Sequence, residues 1–186
     1  KRDRYLQVVA DGLERIRRAV SQLLDYSSVH VTDITDCDLS RLVARTLEFL
    51  EFQITRSGIE VENRLPPLVL PADAHKMEQV LVNLVLNAVG AMPRGGRLAF
   101  RHIEEGLFLT LVVSDTGEGI PKENLERIFE PFFTTKGNGE GTGLGLAVCR
   151  KIIEQHGGKI SASSRPGEGT EFRISLPFAP APGGSP

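Results

Sequence analysis

Residues 75–92 place apolar side chains on almost every side of one helix and interrupt them with amides at a single spacing. Met77, Val80, Leu81, Val82, Leu84, Val85, Leu86, Ala88 and Val89 surround Gln79, Asn83 and Asn87, which stand four residues apart and so share a face. A helix apolar nearly all round is a buried one, and the amides inside it need partners. Carboxamide oxygens are hard donors that suit Mg²⁺, an ion that also keeps waters and takes phosphate oxygens. Local hydrogen bonding of the two asparagines is the plainer alternative, and the spacing alone leaves both open.

The pattern on either side predicts an α+β chain. Before this helix, Asp38 makes a good cap for a helix through Leu39, Leu42, Val43, Leu47, Leu50 and Ile54, ended by Gly58. Residues 29–38 read as a short strand or linker, and Ile59–Leu65 as a strand stopped by Pro66 and Pro67. The amide helix spans about Asp73 to Met92 before Pro93 and the Gly95–Gly96 pair. Strands at Arg97–Glu104 and Leu107–Ser114 form a hairpin about Gly106. A third helix, Gly145–His156, stops at Gly157–Gly158, and Lys159–Ser164 with Thr170–Leu176 makes a last hairpin. Tight turns between neighbouring strands favour a mixed, mostly antiparallel sheet with three helices on one face, a two-layer sandwich.

Residues 1–31 carry a heptad seam, Leu6, Val9, Leu13, Ile16, Val20 and Leu23, which predicts one long bundle helix in need of a partner. The expected division is therefore 1–31 as that helix, 32–178 as the main domain and 179–186, rich in Pro, Gly and Ser, as a disordered tail. The whole chain of 186 residues is long enough for one domain and one extra element. Its net charge of −2 gives no basic face for nucleic acid. Cys37 and Cys149 lie far apart without metal-ligand spacing, which fits a reducing, cytoplasmic compartment. No apolar run approaches the roughly 20 residues that span a bilayer, and no signal peptide is present. The first residue is Lys1, as in an excised piece, so a membrane-anchored parent stays compatible.

Three further segments carry chemistry. Asp115 ends an apolar strand and opens Asp115-Thr-Gly117-Glu-Gly119-Ile120-Pro121. A carboxylate there can accept from an adenine amino group, and glycines let backbone approach the base. Asp-Thr-Gly also marks aspartic proteases, where two such aspartates share a proton, but this chain has a single copy. Gly137, Gly139, Gly141, Thr142, Gly143, Leu144, Gly145 and Leu146 lead straight into a helix, and backbone N–H groups at a helix start form a site for phosphate. No Gly-Lys-Ser/Thr follows, so it is not a P-loop, and the third glycine of a dinucleotide fingerprint falls on Leu146. Between them, Ile128-Phe129-Glu-Pro-Phe132-Phe133-Thr-Thr-Lys136 reads as the aromatic anchor of a lid, or as plain core, with Lys136 able to reach a phosphate.

The order of these segments resembles the ATP site shared by histidine kinases, type II topoisomerases, heat-shock chaperones and mismatch-repair ATPases. The histidine kinase branch of that superfamily is the closest in wording. HKMEQVLVNLVLNAVGAM is similar to its asparagine box, DTGEGIP to its first glycine box, IFEPFFTTK to its phenylalanine box and GTGLGLAVCRKIIEQHGG to its second, with GEGTEFRISLP as the last strand. The likeness runs from about Asp38 to Pro177.

The resemblance implies a bacterial sensor histidine kinase that takes ATP and Mg²⁺. It makes Asn87 the metal ligand and Asn83 a second contact near the phosphates, with Asp115 reading adenine in a pocket shaped by Gly117, Gly119 and Ile120. Gly141, Thr142, Gly143, Leu144, Gly145 and Leu146 would hold the phosphates, Thr170 would support the base through water, and Lys136 or Arg94 would supply a basic residue at the phosphates, Lys136 as a catalytic candidate beside Asn83. Where the hydrolysing relatives carry a glutamate, Asn83 stands, which favours phosphoryl transfer over hydrolysis. Family members often carry a basic residue shortly after the second asparagine, but here Gly90 and Ala91 stand. Residues 1–31 would be the second helix of a dimerisation domain. None of His30, His75, His102 and His156 has the acceptor's context, so the acceptor histidine is expected upstream. Implied partners are the protein's own dimerisation domain, in a homodimer, and a response regulator. An anti-sigma serine kinase of the same fold is the alternative.

Overall fold

The computed structural model describes residues 32–135 and 141–178. The expected long helix over 1–31, Lys136 and the tail 179–186 lie outside them. Strand β1 (Thr35–Asp38) leads into helices α1 (Leu39–Phe49) and α2 (Glu51–Arg56), then β2 (Ile59–Asn63) and β3 (Val69–Ala72). Helix α3 (Ala74–Ala91) follows, then β4 (Gly96–Glu105), β5 (Phe108–Asp115), two 3₁₀ turns at Lys122–Asn124 and Arg127–Phe129, α4 (Gly145–Gln155), β6 (Lys159–Arg165) and β7 (Gly169–Pro177).

The main sheet runs β2-β4-β5-β7-β6, with β2 parallel to β4 and every other pair antiparallel. One face of it carries the helices. Met77, Val80, Leu81, Leu84 and Val85 of α3 are buried in the same cluster as Leu98 and Phe100 of β4, Leu109, Leu111 and Val113 of β5 and Ile174 of β7. Each such aliphatic side chain, taken fully out of water, contributes about 2 kcal/mol. The other face of β5 buries Val112, whose register partners are Arg101 and Arg173. Both arginines pair with Glu171 between them.

One expectation needed correction, and one strand went unread. The first helix does not run unbroken to Gly58. It stops at Phe49, with Leu50 at φ −100° and ψ 10°, and restarts as α2. One turn earlier the Thr46 hydroxyl donates to the Leu42 carbonyl at 2.9 Å, a bond that bends helices. The break lets Leu50 and Ile54 both enter the core while Phe49 and Phe52 stay 74% and 72% exposed. Strand β3 has no signature in the sequence, because four residues containing Pro71 give no period. Among the described residues it pairs only with β1, Cys37 opposite Leu70, and proline is tolerated at such an edge.

Aspartates cap the two longer helices that precede the hairpin. Asp38 accepts from the Arg41 N–H, and Asp73 Oδ1 accepts from His75 and Lys76 N–H at 3.1 Å each. The start of α3 is tied to the end of α4 by His156. The Asp73 N–H donates to His156 Nε2 at 2.9 Å, so Nε2 carries no proton and Nδ1–H donates to the Ile152 carbonyl at 2.7 Å. His156→Ala strands a buried N–H and opens a void, and should cost about 2–4 kcal/mol in urea unfolding. A loss below roughly 0.5 kcal/mol, the range of ordinary surface changes, would show that the tie is idle.

Candidate functional site

A cavity of about 600 Å³ opens beside α3, between the end of β5 and the start of α4. Asn83 and Asn87 line it from α3, as does Leu86 between them, while Gln79 one turn earlier does not. Two turns of one helix therefore deliver two amides to the same space.

Asp115, at the end of β5, forms the opposite wall and is only 8% exposed. Its Oδ1 accepts from the Gly117 N–H at 2.8 Å and the Thr170 N–H at 3.3 Å. These bonds fix the carboxylate and leave Oδ2 without a donor among the described residues. Burial pushes the Asp115 carboxyl above its ordinary value, and the two N–H groups only partly offset that. A buried acceptor so held is suited to a ligand N–H donor.

The loop after Asp115 is pressed between neighbours that admit no side chain. A Cβ on Gly119, at φ +71°, would stand 2.1 Å from the Arg165 carbonyl oxygen. Gly119 and Ile120 line the cavity. Gly117 lies against the Ala91 carbonyl and lines a smaller recess with Arg94 instead. The Ile120 N–H donates to Ser164 Oγ at 2.8 Å, and Ser164 Oγ–H donates to the Gly169 carbonyl at 2.5 Å. With that proton committed, the 3.1 Å contact between Ser164 and Thr170 has Thr170 Oγ1–H as its donor. The lone pairs of Thr170 Oγ1 remain for the cavity that Thr170 lines.

The glycine-led helix closes the site. Gly141, Thr142, Gly143, Gly145 and Leu146 line the cavity, whereas Leu144 turns inward and is buried. Leu144 thus serves packing rather than the cavity wall. Among the described residues, helix α4 has no side-chain cap, unlike α1 and α3, and only its Leu144 N–H is taken, by the Thr142 hydroxyl, which leaves the N–H groups of its first turn for an anion. Of the predicted aromatic anchor, Phe129 packs edge-on against Phe172 at 6.5 Å and Phe133 stacks under the Arg127 guanidinium at 4.4 Å. Phe132 faces out, 64% exposed at φ +66°, its N–H bonded to the Gly143 carbonyl.

Sequence reasoning missed Ile128 and Phe172, which also line the cavity, and Ser164 behind it. A serine in a β-strand gives no signal of its own. No lysine or arginine is among the described lining residues, and Arg94 opens on the smaller recess. No cluster of His, Cys, Asp or Glu with metal-binding geometry occurs among the described residues, so any cation here would rest on the amides and on its ligand's own oxygens. No helix among the described residues is long and apolar enough to cross a membrane.

Residues 72–180 match the family described as histidine kinase-, DNA gyrase B- and HSP90-like ATPase. The sensor histidine kinase ZraS of Escherichia coli (strain K12) is 37% identical over 175 residues, covering 92% of this chain and 37% of ZraS. The chain thus spans little more than a third of that relative. Histidine kinase ThkA, solved in complex with the response regulator protein TrrA, is 32% identical with a TM-score of 0.80, over 96% of this chain and 52% of that one. Full-length ShkA, solved in complex with AMPPNP, is 26% identical with a TM-score of 0.80, over 96% of this chain and 39% of that one. With its family match covering more than half its length, this chain belongs to the histidine kinase-, DNA gyrase B- and HSP90-like ATPases and is similar, within them, to sensor histidine kinases.

Proposed function

We propose that this chain binds Mg-ATP in the cavity and passes the γ-phosphate to a histidine of a dimerisation domain, from which a response regulator takes it. The observation that carries this is the meeting, around one cavity, of a buried carboxylate, two amides from one helix and an uncapped glycine-led helix start. Asp115 accepts from the adenine amino group. Thr170 adds a water-borne contact, and Gly119 and Ile120 form the pocket wall. The N–H groups of Gly145 and Leu146 at the helix start, with the Gly141–Gly143 turn before them, meet the phosphates. Asn87 is the protein's ligand to magnesium and Asn83 a second contact, and the bound ion would neutralise charge on the phosphates. Lys136, which follows Thr135 of the cavity lining, would act at the γ-phosphate.

In the transfer, the bond from the γ-phosphorus to its bridging oxygen breaks as a bond to the imidazole nitrogen forms, and ADP leaves. The chain's share is positioning. Asn83 offers no base to activate water, which directs the phosphoryl group to a protein acceptor. ThkA with TrrA supports a response regulator as partner. The dimerisation domain would be the protein's own, in a homodimer. The ATP requirement puts this part of the protein on the cytoplasmic side. An anti-sigma serine kinase is disfavoured by the likeness to sensor histidine kinases over 92% of the chain.

The test is transfer in trans. Labelled ATP, this chain and a separately supplied dimerisation domain of a sensor kinase should yield acid-labile phosphate on that domain's histidine. Asn87→Ala should lower the yield by about tenfold or more, the equivalent of one charge-assisted contact. Labelling of serine instead would move the assignment to the alternative.

A further inference from the structure

Ser164, in β6, is not a wall of the cavity, yet three groups around its Asp115 end are tied to the one hydroxyl. Ser164 Oγ accepts the Ile120 N–H at 2.8 Å, faces Thr170 Oγ1 at 3.1 Å and donates its own proton to the Gly169 carbonyl at 2.5 Å. A serine hydroxyl has one proton and two lone pairs, so these three bonds use it completely. The last of them sets the direction of the others. A carbonyl can only accept, so the Ser164 proton stays on Gly169 and the Thr170 proton must point at Ser164. Two further bonds sew the same loop to the turn between β6 and β7. The Gly167 N–H donates to the Glu118 carbonyl at 2.7 Å, and the Thr170 N–H to Asp115 Oδ1 at 3.3 Å.

We propose that Ser164 is a positioning residue for the base: by holding the Thr170 proton, it fixes the Thr170 hydroxyl as an acceptor toward the cavity, beside Asp115 Oδ2. Whatever meets Thr170 there, an amino group or a water that serves one, has to bring the proton. A Thr170 hydroxyl without this hold would rotate and turn its proton inward part of the time, donor against donor. Ser164 thus acts on the ligand through Thr170, which lines the cavity, and leaves the phosphate end alone. This inference deepens the reading of the cavity as a nucleotide site and rests on it.

The test is a double-mutant cycle of Ser164→Ala and Thr170→Val, with urea unfolding of each ligand-free variant. Calorimetry gives the affinity for adenosine, and for a non-hydrolysable ATP analogue with and without magnesium. Ser164→Ala should weaken adenosine and the analogue by the same factor, about fivefold, one hydrogen bond's worth, and leave the magnesium enhancement as in the parent. In the Thr170→Val background Ser164→Ala should add no further loss. Unchanged adenosine affinity in Ser164→Ala, losses that add in the double variant, or a lost magnesium enhancement would each overturn the proposal. So would the loss of all binding together with the fold, which would make Ser164 structural. A parent chain that binds neither adenosine nor the analogue would instead overturn the site's reading, and the proposal with it.

Discussion

Asp115→Asn should abolish most nucleotide affinity, by about 10- to 100-fold, without lowering the stability of the ligand-free chain. Asparagine can keep Oδ1 as acceptor for the Gly117 and Thr170 N–H groups, so the loop and β7 stay attached. What changes is the atom at Oδ2, which becomes an NH₂ facing the adenine amino group, donor against donor. The stability expectation follows from the raised carboxyl value. A group whose folded value lies above its unfolded one binds protons more tightly when folded, so folding stability falls as pH rises from the unfolded value through the folded one. Above that window the parent bears the cost of a buried charge, and the neutral amide of the variant does not. Thermal melts of ligand-free protein at neutral pH should therefore place the variant level with the parent or above it, while calorimetry finds its nucleotide heat nearly gone. Loss of fold and ligand together would mean that Asp115 is structural.

Gly169→Ala should cost about 3 kcal/mol or more and remove nucleotide binding with it. Gly169 opens β7 at φ +87°, and a Cβ there would stand 1.9 Å from the Asp115 carbonyl oxygen and 2.8 Å from its carbon. Those are backbone atoms of the strand end that carries the carboxylate, so β5 and β7 must part where the site is built. Gly167, two residues earlier, is the control. It has φ +79°, but a Cβ would meet nothing within 4 Å. Gly167→Ala should then show only the left-handed strain of about 1 kcal/mol and bind nucleotide as the parent does. Equal effects at the two positions, read by urea unfolding, would show that backbone conformation rather than the contact with Asp115 governs the loop.

Much of this molecule was legible because its signals are local. The amide helix was bounded at both ends by residues that act within one turn, Asp73 as cap and Pro93 as stop, and the structure places α3 at Ala74–Ala91. The hairpin about Gly106 and the end of α4 before Gly157 rest on glycines at φ +61° and +69°. Strand β3 escaped notice because its pairing with β1 lies more than thirty residues away in sequence. The break at Leu50 escaped because the apolar period continues across it, and only the core decides that the helix must turn.

At the site, the residue types were readable but their directions were not. Leu144 sits among cavity-lining neighbours yet points into the core, and Phe132 belongs to an aromatic run yet faces out. Gly117 and Gly119 stand in one motif but serve different recesses. Ser164 acts through a bond to a residue 44 positions away, which no periodicity encodes.

Titration of the unmodified chain with a non-hydrolysable ATP analogue, with magnesium and again with chelator, tests the central claim most directly. Saturable binding at one site per chain, strengthened by magnesium and competed by adenosine, is the predicted result. The absence of binding heat under both conditions would contradict it.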